Sequence, residues 1–273
     1  MEVKYINSNG KEVNLNKHPY RMLVSDLLDY EWGIIGSANT ISGFQSQIYE
    51  RSALIDIWKT REKSSRVLMN ELTDIFEFDI AAETPGRLYI DDSYILCYIY
   101  KSQKSNWETE LRTLCEYGII IDKSRWITEI KKTFYPVGSD SEHPYLDYDY
   151  DYDYDYTPSI TQSDYINLEH YAPCNFQLKI YGPAIDPSVT IGGVIRQVYT
   201  TLEEGQYLLI DSRDKTVKRV LNDGSVLNEF DNRRRGTKSI FEPIIPGMNE
   251  VTWNNAFGFD LTLFIERSEP EWR

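Results

Sequence analysis

Four runs, FQLKIYGPAIDPSVTI (Phe176–Ile191), YLLIDSRDKTVKRV (Tyr207–Val220), SVLNEFD (Ser225–Asp231) and IFEPIIPGMNEVTWN (Ile240–Asn254), succeed one another in the C-terminal part of the chain. Each is rich in β-formers and closed by Gly, Pro, Asp or Asn, a spacing that predicts an antiparallel all-β unit, a sandwich or jelly roll. Phe176, Leu178 and Ile180 alternate with Gln177, Lys179 and Tyr181, so that one face of the strand is buried and the other wet. Leu208, Leu209 and Ile210 form a buried strand that ends at Asp211. The Asp211-Ser212-Arg213-Asp214 segment turns the chain into Thr216–Val220. Asn222-Asp223-Gly224 is a second tight turn, in which Asp-Gly favours positive φ.

Working outward, the N-terminal residues read as strands and turns. Val3–Ile6 and Lys11–Leu15 flank a hairpin turn at Asn7–Gly10. Met22–Val24 leads to Asp26–Trp32, and Gly33, Gly36 and Gly43 break up the segment between Trp32 and Tyr49. Tyr49–Trp58 is a further strand. Residues 61–78 are the clearest helix: Leu68, Leu72, Ile75 and Phe76 fall at i, i+4, i+7 and i+8, an apolar stripe whose expected place is the core. Arg61, Glu62, Lys63, Arg66, Asn70 and Glu71 occupy the other side. Strands are expected at Leu88–Ile90, Tyr94–Tyr100, from Arg112 onward and at Trp126–Ile130.

The chain has 273 residues, enough for two domains, with 41% hydrophobic and 14% aromatic residues to build cores. No apolar run approaches the length of a membrane span, and the N-terminus has no signal-peptide core, so synthesis in the cytoplasm without signal-dependent export is expected. Cys97, Cys115 and Cys174 are odd in number and lack metal spacing; each reads as a small buried apolar residue. The net charge of −14 is unevenly spread. Residues 1–136 carry 17 basic and 20 acidic groups, residues 137–165 none and 8, and residues 166–273 12 and 15. The two flanking regions are thus nearly balanced, and neither has the basic patch that phosphate or sequence-specific nucleic-acid binding requires.

No catalytic, cofactor or metal residue is assigned. His18, His143 and His170 have no partner spacing for a metal or a nucleophile relay. Gly192-Gly193 is a turn between strands and not a phosphate loop. Asp91-Asp92 is a carboxylate pair of the kind solvated in turns. The six tryptophans (Trp32, Trp58, Trp107, Trp126, Trp253 and Trp272) offer a sugar-stacking platform in principle, but most read as strand-end core residues.

Residues 139–158 (SDSEHPYLDYDYDYDYDYTP) are of low complexity, and Asp and Tyr alternate five times from Asp147 to Tyr156. In an extended chain the aspartates would share one face and the tyrosines the other. Three readings stand: an exposed acidic loop partly ordered by its rings, a cation site suited to Ca²⁺ by its oxygen ligands, and a contact strand to a neighbouring subunit.

The order of short motifs resembles one family. Ile180-x-Gly182-Pro183-x-Ile185-Asp186-Pro187, Leu209-Ile210-Asp211-Ser212 with Thr216-Val217, Gly224 with Asn228 and Phe230-Asp231, and Ile245-Pro246-Gly247-x-Asn249 with Trp253 are similar to the C-terminal half of the phage distal tail proteins. The helix followed by Pro85-Gly86, Leu88, Ile90 and Cys97-Tyr98-Ile99 resembles their N-terminal half. The resemblance implies an N-terminal ring-forming domain, residues 1–124, a split β-barrel or sandwich with one helix. It also implies a C-terminal galectin-like jelly roll, residues 125–273, with the Tyr/Asp-rich stretch as an insertion. It further implies a non-enzymatic virion component: a homohexameric hub joining the tail tube to tail-associated fibre or spike proteins and to baseplate or receptor-binding proteins. The alternative is a carbohydrate-binding β-sandwich module.

Overall fold

In the computed structural model, which describes residues 1–37, 39–45, 47–105, 107–121, 125–136, 161–254 and 256–271, the polypeptide is mainly β and its paired strands are antiparallel. The Tyr/Asp repeat, His143 and Trp272 lie outside the described residues. The chain forms two units, Met1–Thr128 with Glu266–Arg273, and Glu129–Ile265. The C-terminal residues, expected in the second domain, therefore belong to the first unit. There Glu266 approaches Arg125 at 3.8 Å, and the Arg125 guanidinium lies over the Trp32 ring.

The first unit contains β1 (Val3–Ile6), β2 (Glu12–Asn14), β3 (Tyr20–Ser25), β4 (Gly33–Ser37), β5 (Thr40–Gln45), β6 (Tyr49–Trp58), α1 (Ser65–Ala81), β7 (Gly86–Ile90), β8 (Ser93–Ser105), β9 (Arg112–Ile121) and the start of β10 (Trp126–Phe134). Pairing runs β2-β1-β7-β8-β9-β6-β3. The strand β6 has the bounds its β-former run predicts, and it pairs along its whole length with β9, from Tyr49↔Ile121 to Trp58↔Arg112. Helix α1 packs on β6, β8 and β9. Its stripe residues Leu68, Leu72, Ile75 and Phe76 are buried with Val3, Tyr5, Ile55, Ile57, Leu88, Cys97 and Tyr117. Phe76 meets the rings of Tyr5 and Tyr117 edge-on at 5.2 and 5.3 Å, the geometry that ring quadrupoles prefer.

The helix starts later and ends later than the expected 61–78. At its start Thr60 Oγ1 accepts the Lys63 amide at 2.9 Å and closes a turn, which uses residues 61–63 before Ser64 caps the Val67 amide. At its end Asp79 is held in the core, and the chain leaves the helix at Glu83, whose φ is +49°. The stretch expected to be broken by Gly33, Gly36 and Gly43 is instead the two-stranded ribbon β4–β5.

The second unit contains β11 (Thr161–Leu168), β12 (Asn175–Tyr181), β13 (Ala184–Ile185), β14 (Ser188–Ile191), β15 (Val194–Gln197), β16 (Thr201–Leu202), β17 (Tyr207–Asp211), β18 (Thr216–Val220), β19 (Val226–Asn228), β20 (Gly247–Asn254) and β21 (Phe259–Arg267), the last two residues of β21 lying in the first unit. One sheet runs β19-β18-β17-β12-β21 and the other β11-β20-β14-β15. Phe176, Leu178, Ile180, Leu208, Ile210, Val217, Leu261 and Leu263 of the first sheet share a core with Val189, Ile191, Val251 and Trp253 of the second. Phe259 stacks on Phe134 at 4.5 Å and meets Trp253 edge-on at 5.2 Å. The expected turns are present. Gly192 and Gly193, at φ +56° and +74°, make the two-residue link of the β14–β15 hairpin. Gly224, at φ +82°, closes the β18–β19 turn, in which the Asp223 carboxylate accepts the Ser225 amide at 2.8 Å.

Candidate functional site

The polar residues that stand out in the sequence are tied up by backbone. Asp211 and Ser212 lock the β17–β18 turn onto β12: Ser212 Oγ accepts the Phe176 amide at 2.8 Å, and the Ser212 amide donates to the Phe176 carbonyl at 3.0 Å. The Asp211 carboxylate accepts the Arg213 amide at 2.9 Å, the Arg213 guanidinium at 2.7 Å and Gln177 Nε2 at 2.9 Å. Burial pushes the pKa of this carboxyl up, but the hydrogen bonds and charge of Arg213, with the Gln177 amide, outweigh it and hold the group below the ordinary aspartate value. Asn249 spends both amide hydrogens on the carbonyls of Ile245 and Gly247, at 2.8 and 2.9 Å. Asp91, one of the paired carboxylates, accepts the Glu2 amide at 2.7 Å across the β7–β8 turn. These groups hold turns in place.

Cys97, Cys115 and Cys174 are buried and none is in a disulfide. Burial pushes the thiols of Cys97 and Cys115 above the usual cysteine range, which suppresses the nucleophilic thiolate. Among the described residues no three His, Cys, Asp or Glu side chains come together as metal ligands. The tryptophans depart from the sequence expectation. Trp126 and Trp253 are core residues, but Trp58 and Trp107 are exposed and Trp32 is half-buried.

One buried cation was not anticipated. Arg196, on β15, is fully buried. Its Nη1 donates to the carbonyls of Ile191 and Val194 at 3.2 and 3.0 Å, its Nη2 donates to the carbonyl of Glu242 at 2.8 Å, and its guanidinium lies 4.4 Å from the Phe176 ring centroid. Burial lowers its pKa to about 10. A single Arg in an apolar strand gives no local sign of burial; only the neighbouring carbonyls make the position tolerable.

The ribbon β4–β5 exposes Ile34, Ile35, Ile41 and Phe44, at 66, 44, 60 and 61% of their full area. Leu23 and Val24 of β3 are exposed as well.

The architecture is that of a two-unit, antiparallel β protein with one helix in the first unit and a β-sandwich as the second. Solved structures that share this fold include a phage hub protein and phage baseplate chains. The Dit (gp 19.1) protein of SPP1, described as a paradigm of the hub adsorption apparatus in phages infecting Gram-positive hosts, superposes with a TM-score of 0.56 at 9% identity, over 97% of this chain and 98% of that one. Chains of the phage P2 baseplate in its activated conformation give TM-scores of 0.62 with Ca, at 12% identity, and 0.59 with Sr, at 13% identity, each over 98% of this chain and 99% of theirs. No family model and no curated protein matches the chain in sequence.

Proposed function

We propose that this chain is a distal tail hub, a structural protein of a phage or phage-like tail that joins the tail tube to the baseplate and host-recognition proteins. The observation that carries the reading is the extent of the fold match, which leaves nearly nothing over in either chain. The motif order in the sequence supports it independently. So does the use of the prominent polar residues as turn locks, which suits a scaffold and not a catalyst. In this reading six copies close a ring through the first unit, and the second unit carries fibre, spike or receptor-binding components. A hub of this kind is assembled into the tail of the virion after synthesis in the host cytoplasm.

Particle mass tests the reading. Multi-angle light scattering of the purified chain, alone and with the tube and spike proteins of the same phage, is expected to give six copies per particle. A chain that stays monomeric under all these conditions would remove the hub assignment.

A further inference from the structure

We propose that the ring of Trp58 is the floor of a docking site for a short acidic peptide segment of another protein, which lays an apolar side chain on the indole and a carboxylate between Arg21 and Lys59. The inference rests on the hub reading only for the source of that segment, a neighbouring tail protein.

Trp58 closes β6 with 44% of its area exposed, yet its ring is fixed in place. Its Nε1 donates to Asp56 Oδ2 at 2.8 Å. Asp56 is buried and accepts two more bonds from Arg112, from Nε at 2.8 Å and from Nη2 at 2.9 Å. The Arg112 guanidinium lies over the indole, 4.8 Å from the ring centroid. A buried carboxylate paired with a cation is weak evidence for stability, and here the pair holds a ring that the core does not use. A rigid, exposed tryptophan loses little freedom when a partner covers it, and it belongs to the side chains that dominate binding surfaces.

The ring lines a cavity of about 350 Å³ with Asn16, His18, Pro19, Tyr20, Arg21 and Lys59, and no carboxylate is among these residues. Among the described residues Arg21 and Lys59 enter no ion pair. In a chain of net charge −14 such a pocket is a local attractor for an anion. The lining narrows its chemistry. Sugar hydroxyls need acceptors as well as donors, and the charged side chains here only donate. A long polyanion is repelled by the charge of the whole chain, and one ring gives no platform for successive bases. A short peptide with a carboxylate beside an apolar residue matches both the ring and the cations. A second cavity, of about 410 Å³, shares Pro19 and Tyr20 with the first and runs beside Leu68 and the Lys63–Glu71 ion pair, which gives an extended segment room to continue.

The test uses the full chain labelled with fluorotryptophan, the Trp58 resonance being assigned by its loss in Trp58→Phe. The probe is the end-blocked peptide DEPYDE, with its uncharged counterpart NQPYNQ as control. The Trp58 signal should shift saturably with DEPYDE, with lower affinity at high salt, and should stay in place with NQPYNQ. Arg21→Glu with Lys59→Glu should weaken the binding by about tenfold or more with a wild-type melting curve, since both side chains are exposed. If that variant fails to fold, Lys59→Gln replaces it, with a smaller loss expected. An unmoved Trp58 signal, an equal response to NQPYNQ, or an unchanged affinity in the variant overturns the site. A response to polygalacturonate or to a dT oligonucleotide, and not to DEPYDE, assigns the cavity to an anionic polymer and overturns the peptide reading. A shift that follows the concentration of the chain alone assigns it to a second copy, with the same consequence. Light scattering with the tube and spike proteins does not depend on the peptide: a chain that never assembles but still binds DEPYDE removes the hub reading and leaves the site.

Discussion

The Tyr5 hydroxyl donates to Asp79 Oδ2 at 2.5 Å in the core of the first unit, while Asp79 Oδ1 accepts the Ser8 amide at 2.7 Å. The two bonds tie the last turn of α1 to the first hairpin. A carboxylate near a helix C-terminus is opposed by the helix dipole and by burial, so its donors must compensate. Burial first, and then the nearby Cys97 and Asp79, push the Tyr5 phenol far above its ordinary value, which keeps it a hydrogen donor.

Tyr5→Phe leaves one oxygen of a buried carboxylate without its donor. The expected loss is about 1–3 kcal/mol, read as a lower denaturant midpoint. Gly86→Ala should also destabilise this unit, since a Cβ there would run into the Tyr5 hydroxyl and Asp79. Unchanged midpoints in both variants would show that the tie between helix and hairpin contributes nothing.

Leu72 is fully buried in the helix stripe. Leu72→Ala should cost about 2–5 kcal/mol and Leu72→Asp should unfold the first unit, because the aspartate has no partner there. Hydrogen exchange followed by mass spectrometry should locate the loss of protection in α1, β6, β8 and β9. Wild-type protection in those elements would mean that the stripe is not a core face.

Arg196→Ala removes the donor to the Ile191, Val194 and Glu242 carbonyls, and a cost of about 3 kcal/mol or more is expected in chemical denaturation. Arg196→Lys should rescue little, since an ammonium lacks the planar fork that reaches carbonyl acceptors on two sides. Full rescue by lysine would show that charge alone matters at this site.

Acid should weaken the second unit through Asp211. Its folded pKa lies below the ordinary aspartate value of about 3.9, so its contribution is complete above that pH and disappears as the pH falls through the lower, folded value. Asp260 acts with the same sign: burial raises its pKa, but Lys131, Tyr181 and Thr133 outweigh this and lower it. In melting experiments between pH 6 and pH 2, Asp211→Asn should be less stable than the wild type at the upper end, with the gap closing toward the lower end. A gap that does not change with pH would mean that the carboxylate's ionisation is not what Arg213 stabilises.

Local physics made much of this fold legible from sequence. Alternation placed Phe176, Leu178 and Ile180 on one buried face, because successive strand side chains point to opposite sides whatever the strand packs against. The stripe Leu68, Leu72, Ile75 and Phe76 was equally readable from helical periodicity, and the turns at Gly192-Gly193 and Asn222–Gly224 from the backbone freedom of glycine. The ends of α1 were not: Ser64 becomes the cap because the Thr60 hydroxyl closes the preceding turn, and Asp79 stays helical because Tyr5 and Ser8, distant in sequence, satisfy it. The roles of Asp211, Ser212, Asn249 and Arg196 likewise depend on backbone amides and carbonyls that pairing brings alongside. Nor did periodicity reveal that Gly33–Ser37 and Thr40–Gln45 pair into a ribbon whose isoleucines stay exposed. Apolar sequence records a preference for burial, but whether a face is covered is settled by the elements that surround it, and among the described residues of the first unit none covers this ribbon.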